Sequence, residues 1–295
     1  MAIPSAKKAL ILVNAAAFVG IIVLNGISMK PSPLFPRTNA NVSHQYPTEI
    51  TPTDSTFAIW AFIYLFQISW VVYTLTLLTR KDAADILPPT FFAFYILSNV
   101  FNASWLLAWS REMFNISLVC LIGIVVALYL TVSSAMTGLH TYLKQFPSKQ
   151  GKPNKADVWC VRILVQNSTI FYSAWVTIAA CINFVVTLHY RHGFNQDKVV
   201  TAVLAFLLCL VVFWFTMENF VVQEYTRFVF AEYVVLVVAL SGVVKANWTG
   251  GQGNQTFVLV ILIVSGVFLI ARLALIAVQE KKEAKEADQM GVPLV

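Results

Sequence analysis

Ser168, Tyr172, Trp175, Ala179 and Asn183 recur at steps of three and four residues through the stretch STIFYSAWVTIAACIN. On a helix that spacing places all five on one face. The face carries a hydroxyl, a phenol, an indole, a methyl-sized gap and a carboxamide, within a segment that is otherwise apolar. Hydrocarbon offers such groups no hydrogen-bond partners, so the face must turn toward other helices or toward a ligand. Two chemistries fit. Small and amide residues join helices inside membranes. Rings with a few amides also build binding walls, the rings giving contact area and the amides orientation. Packing alone accounts for this one stretch.

Two further faces repeat the theme. Phe57, Trp60, Tyr64 and Gln67 share one predicted helical face, and Ser98, Asn102, Trp105 and Trp109 share another. Reactive constellations are missing by contrast. The apolar segments hold no paired carboxylates, no Ser-His-Asp set at one depth and no mid-helix lysine for a Schiff base. His189 and His192 offer two metal ligands at a helix end, fewer than a site needs. No catalytic residue and no metal ligand is therefore assigned. Arg162 and Glu232 are the clearest ionisable residues inside apolar segments, where such groups are functional suspects. They are expected at one depth, paired between the fifth and seventh helices.

The elements that must position these faces follow from composition. The 295 residues are 58% hydrophobic and 12% charged, with a mean hydropathy of +0.73. Soluble domains average about 25% charged residues, so the chain reads as an all-α, polytopic membrane helix bundle. Eight apolar helices are predicted, at about 9–29, 55–78, 88–109, 116–136, 158–189, 199–220, 228–244 and 257–278. A proline-rich segment, 30–52, is read as non-helical, and Asp54–Ser55 as N-cap chemistry for the second helix. A basic loop, 144–155, and a charged helical tail, 280–288, are placed outside the bilayer. With the N-terminus inside, fourteen of the 20 Lys and Arg residues fall on the inner side and six on the outer. That puts both termini in the cytoplasm and the Asn41, Asn247 and Asn254 glycosylation sequons outside, which favours a plasma or endomembrane over a mitochondrial one. The formal charge of +6 is absorbed by this asymmetry and calls for no nucleic-acid partner. Cys120, Cys160, Cys181 and Cys209 lie in or beside apolar runs and read as packed thiols.

FAIWAFIYL at 57–65, NVFNASWLLAW at 99–109 and YSAWVTIAACIN at 172–183 together resemble the translocator protein/tryptophan-rich sensory protein family (TspO/MBR). The resemblance covers about residues 9–190 and is closest to long members with three extra C-terminal helices. It implies a five-helix core over 1–190, a three-helix extension over 191–279 and a cytoplasmic tail over 280–295. It implies ligand binding by Phe57, Trp60, Tyr64, Asn102, Trp105, Tyr172, Trp175 and Ala179, with Asn183 structural. The implied ligand is a flat lipophile, porphyrin-like or sterol-like, held between helices one, two, three and five for sensing, storage or transport. No other cofactor is implied. The partners expected are the bilayer, that small molecule and a second copy in a homodimer. The family's lid loop departs here: it is longer, lacks tryptophan and keeps only its prolines. A proline before the fifth-helix aromatic is replaced by Thr169-Ile170-Phe171. A small-solute transporter or channel is the alternative function, although midplane charges and visible repeats are missing.

Overall fold

The computed structural model describes residues 4–146 and 153–290, with side chains through Lys282. Its regular structure is helical: α1 (Ser5–Ser28), α2 (Asn39–Gln45), a 3₁₀ turn (Asp54–Ala58) leading into α3 (Ile59–Thr76), α4 (Pro89–Ser110) and α5 (Phe114–Lys144). Then α6 (Lys155–Cys160) passes through a π turn (Val161–Asn167) into α7 (Ser168–Val186), which ends in a second π turn (Thr187–Arg191). The remainder is α8 (Gln196–Thr216) with its π turn (Met217–Val221), the single turn α9 (Gln223–Thr226), α10 (Ala231–Asn247) and α11 (Asn254–Met290).

Local chemistry sets several boundaries. Pro88-Pro89 opens α4 with a proline in the first turn, where a missing N–H costs nothing. Asn154 Oδ1 accepts from Asp157 N at 3.2 Å to start α6, and Asn195 Oδ1 accepts from Lys198 N at 3.1 Å to start α8. The segment 30–52 corrects the expectation of a non-helical loop. Pro36 and Pro47 bracket a proline-free stretch in which α2 forms, capped by Thr38 Oγ1 accepting from Asn41 N at 3.1 Å. Helix α5 also runs past the predicted end to Lys144, because nothing in Thr137–Lys144 breaks it.

Loops collect at two ends. At one, Tyr190 donates to Pro47 O at 2.7 Å, Glu49 N to Gln196 at 3.1 Å and Asn247 to Thr51 O at 3.0 Å. At the other, Lys7 pairs with Asp85, Arg80 grips Asp157 at 2.7 and 3.1 Å, and Asn167 donates to Phe228 O at 2.7 Å. Seven helical spans among the described residues are long and apolar enough to cross a membrane. Helix α10, at 17 residues, is about 25 Å long against a hydrocarbon core of about 30 Å. It nevertheless joins the same two ends, reaching from Phe230 to Asn247, so eight apolar helices alternate as predicted. The protein is a multi-pass helical membrane protein. Positions 147–152 of the basic loop lie outside the described residues; the charged run after Glu280 continues α11 as helix, as predicted.

The shortfall of α10 is made up by 227–230, which is non-helical yet largely buried. Buried irregular backbone must have its polar groups satisfied. Here Asn167 Oδ1 accepts from Phe230 N at 3.1 Å while its Nδ2 donates to Arg162 O and Phe228 O. Arg272 Nε donates to Val229 O at 2.9 Å and another guanidinium nitrogen to Thr226 O at 2.5 Å.

Helix α7 is the hub. Every residue from Ser168 to Ile178 is buried, and the helix packs on α3, α5, α8 and α10. Helix α10 is seated against the turn before α3 at Gly242, whose O accepts from Thr53 N at 3.2 Å and whose missing side chain admits Thr56. A Cβ there would strike the Thr56 hydroxyl. Gly242→Ala should therefore cost about 1–3 kcal/mol through overpacking. Gly266→Ala, with open space around its Cβ, should be neutral or slightly stabilising. Thermal unfolding in detergent, followed by helical circular dichroism, separates the two. Of the cysteines, Cys120 and Cys181 are buried, Cys160 is half-buried and Cys209 is exposed, so the last is not the packed thiol expected.

Candidate functional site: an aromatic seam with unpartnered amides and indoles

The three faces read from the sequence converge. Trp175, 2% exposed, sits edge-on to Phe57 (centroids 5.8 Å, 87°) and to Trp60 (6.2 Å, 87°). Trp60 stacks with Tyr64 at 5.8 Å and tilts against Tyr172 at 6.1 Å. Asn102 Nδ2 donates to the Tyr172 hydroxyl at 2.7 Å. Six of the eight predicted binding residues thus form one connected seam: Phe57 before α3, Trp60 and Tyr64 on it, Asn102 on α4, and Tyr172 and Trp175 on α7. Edge-to-face pairs of this kind contribute about 0.5–1.5 kcal/mol each beyond their contact area.

The other two predicted residues border the seam. Trp105 stacks on Trp109 (6.2 Å, 21°) and packs both on the main core, which holds Tyr172 and Trp175, and on a second cluster of Val42, Trp109, Phe114 and Val186. Ala179 is half-buried on the seam face of α7, one turn beyond Trp175. The long loop closes over the Trp105–Trp109 end. Val42 is fully buried there, Tyr46 packs edge-on to Phe114 at 4.8 Å, and the Tyr46 hydroxyl donates to Glu112 at 3.0 Å. Burial and that carboxylate push the Tyr46 phenol above its ordinary pKa.

Part of the opening stripe is helix-to-helix bonding. Gln67 Nε2 donates to Ser168 Oγ and O at 3.1 and 3.2 Å, while its Oε1 accepts from Trp70 Nε1 at 2.7 Å. Asn183 Nδ2 donates to Ser117 Oγ at 2.8 Å. Between these two closed bonds the seam is open in its polar valences. The buried Trp175 Nε1, Trp105 Nε1, Asn102 Oδ1, Asn99 Nδ2 and both side-chain polar atoms of Asn14 have no hydrogen-bond partner. Asn14 is fully buried on α1, whereas Asn25 bonds its own helix at Ile21 O.

Sequence reasoning missed several neighbours. Tyr95 is packed edge-on to Trp70 at 4.7 Å and near Phe18 at 6.4 Å. Its signal was available: Tyr95 precedes Ser98 and Asn102 at helical spacing. Glu232, expected opposite Arg162, instead accepts from Trp214 Nε1 at 3.0 Å. The Arg162 guanidinium lies over the Phe228 and Trp159 rings at 4.4 and 5.2 Å. His189 and His192 turn to Phe194 O and Asn115 respectively. No group of metal-ligating side chains occurs among the described residues. Of the sequon asparagines, Asn41 is exposed. Asn247 is half-buried, and Asn254 is buried with Nδ2 bonded to Glu49 and Asp197 at 2.9–3.1 Å.

No curated protein and no solved structure matches the chain. A family model described as TSPO-like protein matches residues 11–277, from the first turns of α1 to the apolar end of α11. That is nine-tenths of the sequence and takes in all eight apolar helices, so the chain belongs to the TSPO-like protein family.

Proposed function

We propose that this membrane protein binds a flat lipophilic molecule, of tetrapyrrole or sterol shape, against the seam formed by Trp60, Tyr64, Asn102, Tyr172 and Trp175. The observation that carries the reading is the set of unpartnered buried polar atoms on α1, α4 and α7. Each such atom costs about 1–3 kcal/mol if nothing bonds to it. The same bundle closes Gln67 and Asn183 on neighbours, so local packing is able to satisfy amides where binding does not require them. Indole N–H groups at Trp175 and Trp105 would donate to a ligand oxygen or carboxylate, and Asn102 Oδ1 would accept. Aromatic walls with few polar groups are the usual make-up of such sites. Titration of the purified protein with protoporphyrin IX or cholesterol, followed by tryptophan quenching, should saturate. Quenching without saturation, or saturation unaltered by Trp60→Ala, would count against the reading.

The membrane placement belongs to the same proposal. Residues 1–190 serve as the binding core, 191–279 as its buttress and 280–295 as a cytoplasmic tail, in a plasma or endomembrane, with a homodimer as the assembly. Asn41 is then the glycan acceptor, because its amide is accessible while those of Asn247 and Asn254 are engaged. Expressed in a secretory host, the protein should shift by one glycan on endoglycosidase treatment, and Asn41→Gln should abolish the shift.

A further inference from the structure

A groove of about 700 Å³ opens where α1, α4 and α5 meet, at the end of the bundle that carries the Lys7–Asp85 and Arg80–Asp157 pairs. Its volume is that of a small-molecule site, about 300–1,000 Å³, and none of the seam residues is on its walls. One wall is a single face of α5, on which Ser133, Ser134, Thr137 and Thr141 follow at helical spacing. Among the described residues these hydroxyls make no hydrogen bond, whereas Ser117 and Thr131 of the same helix donate to Phe114 O and Ala127 O at 3.1 and 2.7 Å. Phe94 and Leu130 supply an apolar stretch beside them.

The charged groups on the walls, among the described residues, are Lys7 and Asp85, and they pair with each other through Asp85 Oδ1. The pair is balanced in charge but unfilled in valence. Lys7 is only 7% exposed, and a single acceptor serves its three N–H donors. Asp85 Oδ2 has no donor. The carboxylate is held over the groove by its chain neighbours. Ala83, Ala84, Ile86 and Leu87 are buried on either side of it, and Ala84 N donates to Asp157 at 2.9 Å. Ile86 O occupies the space that a side chain at Gly138 would fill.

We propose that this groove holds one phosphatidylethanolamine of the bilayer. Its phosphate accepts from the unspent Lys7 N–H groups and the α5 hydroxyls, its primary ammonium donates to Asp85 Oδ2, and its chains run along Leu130 and Phe94. Selection comes from the balance of the pair. One positive and one negative wall group match a headgroup that is itself neutral and dipolar, while a lipid of net negative charge brings a surplus to Asp85. Choline carries the same charges as ethanolamine but no N–H, so it leaves Asp85 Oδ2 without a donor. The length of α5 suits an amphipathic occupant. Its 31 residues span about 46 Å against a hydrocarbon core of about 30 Å, so the last turns reach headgroup level while Leu130 stays among chains.

The test is native mass spectrometry of the full chain, delipidated in detergent and titrated with dioleoyl phosphatidylethanolamine, phosphatidylcholine and phosphatidylglycerol in turn. One phosphatidylethanolamine per chain should be retained, about tenfold tighter than either other lipid, the worth of one hydrogen bond to a charged group. Asp85→Asn keeps the shape and leaves Lys7 unbalanced, so the preference should pass to phosphatidylglycerol. Thr137→Phe fills the groove from an exposed position and should abolish the retained lipid. The three-lipid comparison on the parent chain decides the matter whether or not the variants fold. Equal retention of the ethanolamine and choline lipids, or phosphatidylglycerol held tightest by the parent chain, would overturn the proposal. So would an ethanolamine preference that survives Asp85→Asn or Thr137→Phe.

Discussion

Arg272→Leu is expected to destabilise the protein by about 3–5 kcal/mol, the range for removing one partner of a buried charge pair. The side chain is fully buried and holds four groups: Val229 O, Thr226 O, Asn219 Oδ1 and, at 3.6 Å, the Glu218 carboxylate. Leucine would fill much of the space and satisfy none of them. Two buried carbonyls, Val229 O and Thr226 O, would be left without their donors. The unpaired carboxylate adds to that. Arg272→Lys should recover only part of the loss, since one ammonium cannot serve three separated acceptors as a planar fork does. Glu218→Gln placed on the Arg272→Leu background should also recover part, by removing the orphaned charge. Thermal midpoints of the four proteins in one detergent check the order: parent above lysine variant, and double mutant above leucine variant. A leucine variant as stable as the parent would mean that the 222–230 segment does not depend on this arginine.

The second large effect separates packing from binding at Trp175. Trp175→Ala removes a ring that touches Phe57 and Trp60. Within a membrane the transfer term is small, because lipid is as apolar as the helix contact. The cavity term remains: roughly 120 Å³ at about 24 cal/mol per Å³ is about 3 kcal/mol. Trp175→Phe keeps an edge-to-face ring, gives up only a small part of the volume, and removes the indole N–H, which has no partner. If that N–H serves a ligand, the phenylalanine variant should keep the stability of the ligand-free protein within about 1 kcal/mol and yet bind protoporphyrin IX several-fold more weakly. Equal loss of stability and binding in both variants would make Trp175 a packing residue alone. Denaturation in mild detergent and the quenching titration give the two readings on the same samples.

Much of this organisation was legible in the residues themselves. Three-and-four spacing found the faces of α3, α4 and α7, since a polar stripe on an apolar helix has only one direction in which to turn. It also placed Gln67 on an inward face, and the family resemblance implied that Asn183 is structural. Short patterns were enough because each lies inside a single helix. What escaped was carried by contacts distant in sequence. Nothing near Asn167 announces that its amide will cap Phe228 and Phe230 some sixty residues later. Arg272 entered the sequence reading only as one of the fourteen inner-side charges, whereas the chain folds the 222–230 segment around it. Glu232 was paired with the wrong partner for the same reason: depth along a helix was readable, but rotation toward α8 was not. The second contact of Trp105 reflects the loop, whose short helix α2 brings Val42 into one cluster with Trp109 at that end of α4.

The central claim is occupancy of the seam by a flat lipophile, and photolabelling tests it most directly. A diazirine-bearing cholesterol analogue, incorporated with the protein in nanodiscs and irradiated, should mark peptides of α3, α4 and α7 that contain Tyr64, Asn102 or Tyr172. Unlabelled cholesterol or protoporphyrin IX in excess should suppress those marks. Label spread evenly over the lipid-facing residues, or competed label confined to α8–α11, would contradict the account.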